Sequence, residues 1–194
     1  MRFLYIVRAS LFTLLGACAT TPIVSSPATP PPDWKLASVS PSVGNHFVSA
    51  SGGQQSMTIS GRFISGPTTN LEVSGGHIRG THASGASVDV SFKDTRGEGS
   101  FGNRLFSCVV DVRPDGSVHA TGAMGVGNSD FVLSQNEING RIGSREYQLT
   151  WDPKKEQYVG QMDPGGYRFL QLPVSMSYWT DTEFTCTLAL LLTG

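Results

Sequence analysis

Charge is scarce in this chain. Asp, Glu, Lys and Arg make up 15% of the residues and sum to a net charge of −1, where an ordinary soluble domain carries about a quarter. No basic stripe runs along any segment, which argues against nucleic acid as a partner. Cysteine is scarce too, with three in 194 residues. No CxxC and no Cys/His cluster is present, so no zinc site or other metal site is expected. GxSxG, HExxH and a Gly-rich phosphate loop leading into a helix are all missing. No cofactor is therefore implied. A sustained 3.6-residue apolar period is also missing, so no helix longer than a turn or two is predicted. What the chain has instead is glycine, 23 residues of it. Its polar surface must be built from Ser, Thr, Asn and Gly, which suits a β-rich exported protein.

The first residues argue for export directly. Arg2 and Arg8 give a positive start, and "ASLFTLLG" follows as a short apolar run. That is the length of a secretory apolar core and falls short of the roughly 20 residues a membrane-spanning helix needs. Leu15, Gly16, Ala17 and Cys18 come next. This stretch resembles the lipobox of bacterial lipoproteins. The resemblance implies a signal peptide over 1–17, diacylglycerol on the Cys18 thiol, cleavage before Cys18 and acylation of the new N-terminus. With Ala19 after the cysteine, it also implies sorting to the outer membrane. It covers only the start of the chain and carries no activity. A second reading stays open: "ACA" at 17–19 fits a small-x-small site that would release a soluble protein.

With Cys18 assigned to lipid, Cys108 and Cys186 remain, in a disulfide-permissive compartment. Read as strands, "LFSCVVDV" puts Phe106, Cys108, Val110 and Val112 on one face, and "FTCTLALLL" does the same for Phe184, Cys186, Leu188 and Leu190. Two inward cysteines on facing strands suggest a disulfide. The alternative is two free, buried thiols.

Residues 18–45 read as a lipidated N-terminus and tether. They hold six of the 11 prolines among many Ser and Thr. Trp34 and Leu36 either dock on the following domain or stay solvated. From 46 to 194 the chain alternates polar and apolar residues between turn signals such as "KDTRG", "RPDG" and "DPGG". Strands joined by short turns pair antiparallel. The expected fold is all-β: an antiparallel meander of about ten to twelve short strands, as a closed barrel or a two-sheet sandwich. A transmembrane barrel is a weaker alternative, since the strands look shorter than the 9–11 residues needed to span.

A faint repeat runs through this region. Gly61, Gly80, Gly99, Gly122, Gly140 and Gly160 recur at spacings of 19, 19, 23, 18 and 20. Ile138 and Ile142 bracket Gly140 on one strand face, so the glycines are expected to punctuate the buried face. There they would let a strand coil or leave room for rings such as Phe131, Tyr147, Trp151 and Phe169.

Candidate chemistry is thin. His77, His82 and His119 are the candidates for metal or base chemistry; His77, which shares a face with Arg79 and Thr81, reads as solvated, and His82, on the Ile78 face, as half-buried. Asp181 and Glu183 share a strand face in the extended reading and form the one available carboxylate pair. Tyr178, Trp179 and Phe184 beside them make either an exposed aromatic patch or a core end. The functional expectation is a non-enzymatic envelope lipoprotein. Membrane contact is through lipid, and the β domain binds or braces another envelope protein. The alternatives are a carrier barrel for an apolar ligand, with the glycines lining its cavity, and a cell-wall hydrolase or enzyme inhibitor.

Overall fold

The computed structural model describes residues 46–50, 54–125 and 127–193. Cys18 and the tether lie outside them. Among the described residues, fourteen strands follow one another as an antiparallel meander. β1 (His46–Ala50), β2 (Gln54–Ser60), β3 (Phe63–Ser65), β4 (Asn70–Ser74) and β5 (His77–Thr81) form the first arc. β6 (Ser87–Lys93), β7 (Arg96–Phe101), β8 (Arg104–Val112), β9 (Val118–Ala123) and β10 (Asn128–Leu133) form the second. β11 (Glu137–Ile142), β12 (Arg145–Asp152), β13 (Gln157–Asp163) and β14 (Gly166–Gln171) complete it. β1 then pairs with β14, Val48 opposite Gln171 and Ser49 opposite Leu170, which closes the barrel. The all-β meander is as expected, with a few more strands than the sequence suggested.

Alternation builds the wall. β4 reads exposed, buried, exposed, buried, exposed, with Leu71 and Val73 inward. Its outward residues are Asn70, Glu72 and Ser74, and elsewhere Arg79, Asp89, Glu98, Arg141 and Glu146 face out. A lipid-spanning barrel shows an apolar outer band; this wall shows charge there. Cross-strand ion pairs Arg79–Asp89 and Arg141–Glu146, at 3.1 and 2.9 Å, lie on it.

The C-terminal segment departs from the expected reading. After a 3-10 turn at Val174–Tyr178, residues Asp181–Leu192 form a helix, α1. "FTCTLALLL" is therefore not a strand, and the meander is not the whole fold. The helix is buried on every side from Thr182 to Leu192, which marks a helix enclosed by other structure. Its start lies by the β6–β7 turn, where Thr182 Oγ1 donates to the Asp94 carbonyl at 2.8 Å. Its end lies by the β11–β12 turn, where Tyr147 donates to the Leu192 carbonyl at 2.9 Å. Those turns are at opposite ends of the barrel, so α1 threads the lumen from one end to the other. Twelve residues at 1.5 Å each give it a length of about 18 Å.

Five of the six repeated glycines are mid-strand: Gly80 on β5, Gly99 on β7, Gly122 on β9, Gly140 on β11 and Gly160 on β13. Each lies against the strand before it. A Cβ there would sit 2.0–2.4 Å from the carbonyl oxygen of Asn70, Asp89, Ser107, Asp130 or Gln148 respectively. The repeat is thus a row of close backbone approaches on alternate strands. It lines no cavity, because α1 fills the interior. Gly61 breaks the expected pattern: it lies in the β2–β3 turn with open space around it, and Phe63 beyond it is 54% exposed.

The cysteines also differ from expectation. Cys108 and Cys186 are free and buried, so the expected disulfide is not formed. They do meet: burial pushes the Cys186 thiol well up, and a hydrogen bond with Cys108 adds to the shift. Cys186 comes from the helix, against Gly97, where a Cβ would lie 3.0 Å from its sulfur.

Candidate functional site

The barrel has an entry end, where β1 begins and β14 finishes. The 3-10 turn and the start of α1 cover part of it. The sequence "TDTE" makes this end. Thr180 accepts a hydrogen bond from the Glu183 backbone N–H at 3.2 Å, and the Glu183 carboxylate accepts from the Thr180 N–H at 3.0 Å. This reciprocal capping box fixes where the helix starts. The other Glu183 oxygen meets Arg62 Nη1 at 2.8 Å, with the carboxylate buried and Arg62 half-exposed. The Arg62 guanidinium lies 6.0 Å from the centre of the Trp179 ring. Trp179 Nε1 donates to the Gly61 carbonyl at 3.2 Å, and Ser175 donates to the Ile59 carbonyl at 3.0 Å. A turn, a 3-10 segment and a helix start are thereby tied to the β2–β3 corner.

The outcome is a groove of about 410 Å³ lined by Gly61, Arg62, Val174, Ser175, Tyr178 and Trp179. Tyr178 stands over it, 77% exposed, while Trp179 and Phe184 are buried. The aromatic group is therefore divided between surface and core. Asp181 and Glu183 form no carboxylate pair, because positions i and i+2 of a helix face different ways. Glu183 serves the cap and Arg62.

A second opening, about 500 Å³, lies at the same end between 113–117 and 134–137. Asp115 accepts from the Ser117 hydroxyl and backbone N–H, at 2.7 and 2.9 Å. Those bonds hold its carboxyl below the usual range, and they serve the turn.

The histidines are dispersed. His119 Nε2 pairs with Asp130 at 2.7 Å on the outer wall. His77 is half-buried, beside the exposed Arg79 and Thr81. His82 is buried, as its Ile78 face suggested, and burial lowers its pKa. Among the described residues no group of three His, Cys, Asp or Glu side chains is placed to hold a metal. The groove residues Arg62, Val174 and Ser175 were missed in the sequence. The Thr180–Glu183 capping box ahead of an apolar run is a sequence signal for the helix start beside them, but it does not point to Arg62. Comparison with family models, curated proteins and solved structures returns no match.

Proposed function

We propose that this chain is a lipid-anchored envelope protein, sorted to the outer membrane, whose barrel acts as a non-enzymatic binding or bracing module for another envelope component. The observation that carries the reading is the filled lumen. α1 occupies the space in which a carrier would hold its ligand, so recognition falls to the outside of the barrel. The lipobox-like Leu15–Cys18 stretch supports the anchor, and two or more acyl chains make attachment stable. The Pro-rich segment that follows supports a tether. The test is metabolic labelling with palmitate in a bacterial host, followed by separation of the envelope membranes. Intact protein takes up label and fractionates with outer membrane, and Cys18→Ala does neither. Label retained by Cys18→Ala would overturn the anchor, and the binding role would then belong to a soluble exported protein.

A further inference from the structure

Three observations meet at the entry end. The first is the groove under Tyr178, which is open, partly aromatic and floored by Trp179. The second is where the chain comes in. His46 pairs with Thr58, and the next residue on β2, Ile59, carries the carbonyl that holds Ser175. β1 therefore begins beside the groove wall. The third is the sequence of that incoming segment. "PPDWKLASVSPSVGN", residues 31–45, has Trp34 and Leu36 as its largest apolar side chains, with Asp33 beside them.

We propose that the groove is the seat of the chain's own Asp33–Leu36 segment. Trp34 packs against Tyr178 and Val174, and Asp33 faces the exposed side of Arg62, whose other side is committed to Glu183 and Trp179. An indole is flat, large and amphipathic, so an open groove with an aromatic wall suits it. Reach is ample: twelve residues from Trp34 to His46 span up to about 40 Å extended. The surface therefore needs no outside partner to cover it. Combined with the anchor proposed above, docking shortens the free tether. Residues 19–45 are 27 in number and residues 19–33 are 15, so reach falls from roughly 85 Å to roughly 45 Å at about 3.1 Å per residue. The entry end is then held toward the membrane and the far end is presented outward.

Lys35 lies inside the proposed seat and makes the test direct. Full-length protein in detergent is treated with trypsin, and cleavage after Lys35 is timed by mass spectrometry. We expect cleavage at Lys35 to be at least tenfold slower in wild type than in Trp34→Ser or Tyr178→Ser. The double variant should be no faster than either single one. Tyr178 is largely exposed, so its replacement leaves the barrel's denaturant melt in place, which separates undocking from unfolding. Equal cleavage rates in all four proteins would overturn the proposal. Protection that depends on protein concentration would overturn it in favour of a second copy in the groove. Protection that appears only with phosphatidylglycerol vesicles would overturn it in favour of a lipid surface. None of these outcomes depends on Cys18 being lipidated, so the proposal and the anchor fail separately.

Discussion

β4 and α1 bury their residues in different ways. Along β4 every second side chain is buried; along α1 eleven consecutive residues, Thr182–Leu192, are buried. The wall has one wet side, so its chemistry alternates with the pleat. The helix has no wet side, so nothing in its composition records which way it turns. One chain thus contains a region whose conformation is printed in its polarity and a region whose conformation is not. Wall and helix also depend on different things. The wall depends on backbones approaching closely at the glycine row, and the helix depends on its cap and on being enclosed.

The sharpest way to break the wall is Gly140→Val. Gly140 has φ of +120°, a region that L side chains rarely adopt. It pairs with Phe131 on one side and Tyr147 on the other, both buried. A Cβ would lie 2.4 Å from the Asp130 carbonyl oxygen and 2.8 Å from the Phe131 Cα. Those are backbone atoms, so no rotamer change relieves the clash. Overpacking of a core alone costs about 1–3 kcal/mol; backbone strain adds to it, and a loss of about 4 kcal/mol or more is expected. Urea melts of wild type and variant measure it. A neutral or stabilised variant would mean that space exists beside Gly140 and that the carrier reading stands.

The same contrast explains what was legible. Leu71, Val90, Ile138 and Leu149 alternate with polar neighbours, so both the strands and their inward faces could be read. The glycine period was readable as spacing, but its purpose was not: a close approach to the preceding strand is a property of two backbones, and a Gly in sequence does not name its neighbour. "FTCTLALLL" fits a strand face and a helix equally: Thr185 and Thr187 alternate with apolar neighbours as in a strand, and the run from Leu188 to Leu192, apolar at every position, satisfies both periods. Only Thr180 and Glu183, three apart, distinguish the two. The extended reading takes Asp181 and Glu183 as a carboxylate pair on one strand face instead. The disulfide expectation failed with that assignment, since it assumed Cys186 to be on a facing strand. The groove could not be read at all, because it joins Arg62 to Tyr178 across more than a hundred residues.

A smaller perturbation asks whether the helix owes anything to its own ends. Thr180→Ala removes the hydroxyl that accepts from the Glu183 N–H and loosens the carboxylate that faces Arg62. Replacing such a cap costs about 1 kcal/mol, and Thr180→Ser should recover most of it. The midpoint of a urea melt at unchanged slope reads this directly. If Thr180→Ala melts with wild type, enclosure alone holds α1, and the helix is as indifferent to its local sequence as its uniform burial suggests.

The smallest expected effect concerns the far end of the barrel, where His82 closes the wall between β5 and β6. Its Nδ1 accepts the Ser84 backbone N–H at 3.1 Å and lies 3.0 Å from the Ser84 hydroxyl. An accepting Nδ1 carries no proton, so the neutral ring bears its hydrogen on Nε2. That Nε2 is buried without a hydrogen-bond partner, and the ring stands edge-on to Phe101 at 5.1 Å. Protonation would place a second N–H against the Ser84 N–H and a charge among apolar groups. Burial accordingly lowers the His82 pKa from 6.5. With the folded value below the unfolded one, the unfolded chain binds the extra proton first as pH falls. Stability from this group is thus complete above about pH 6.5 and declines as pH drops toward the lowered folded value. Melts at pH 7.5 and 5.5 should show wild type losing stability at the lower pH and His82→Gln losing less. Equal losses in both would assign the acid sensitivity to other groups. His82 would then be a bystander in a wall whose integrity is decided at its glycines.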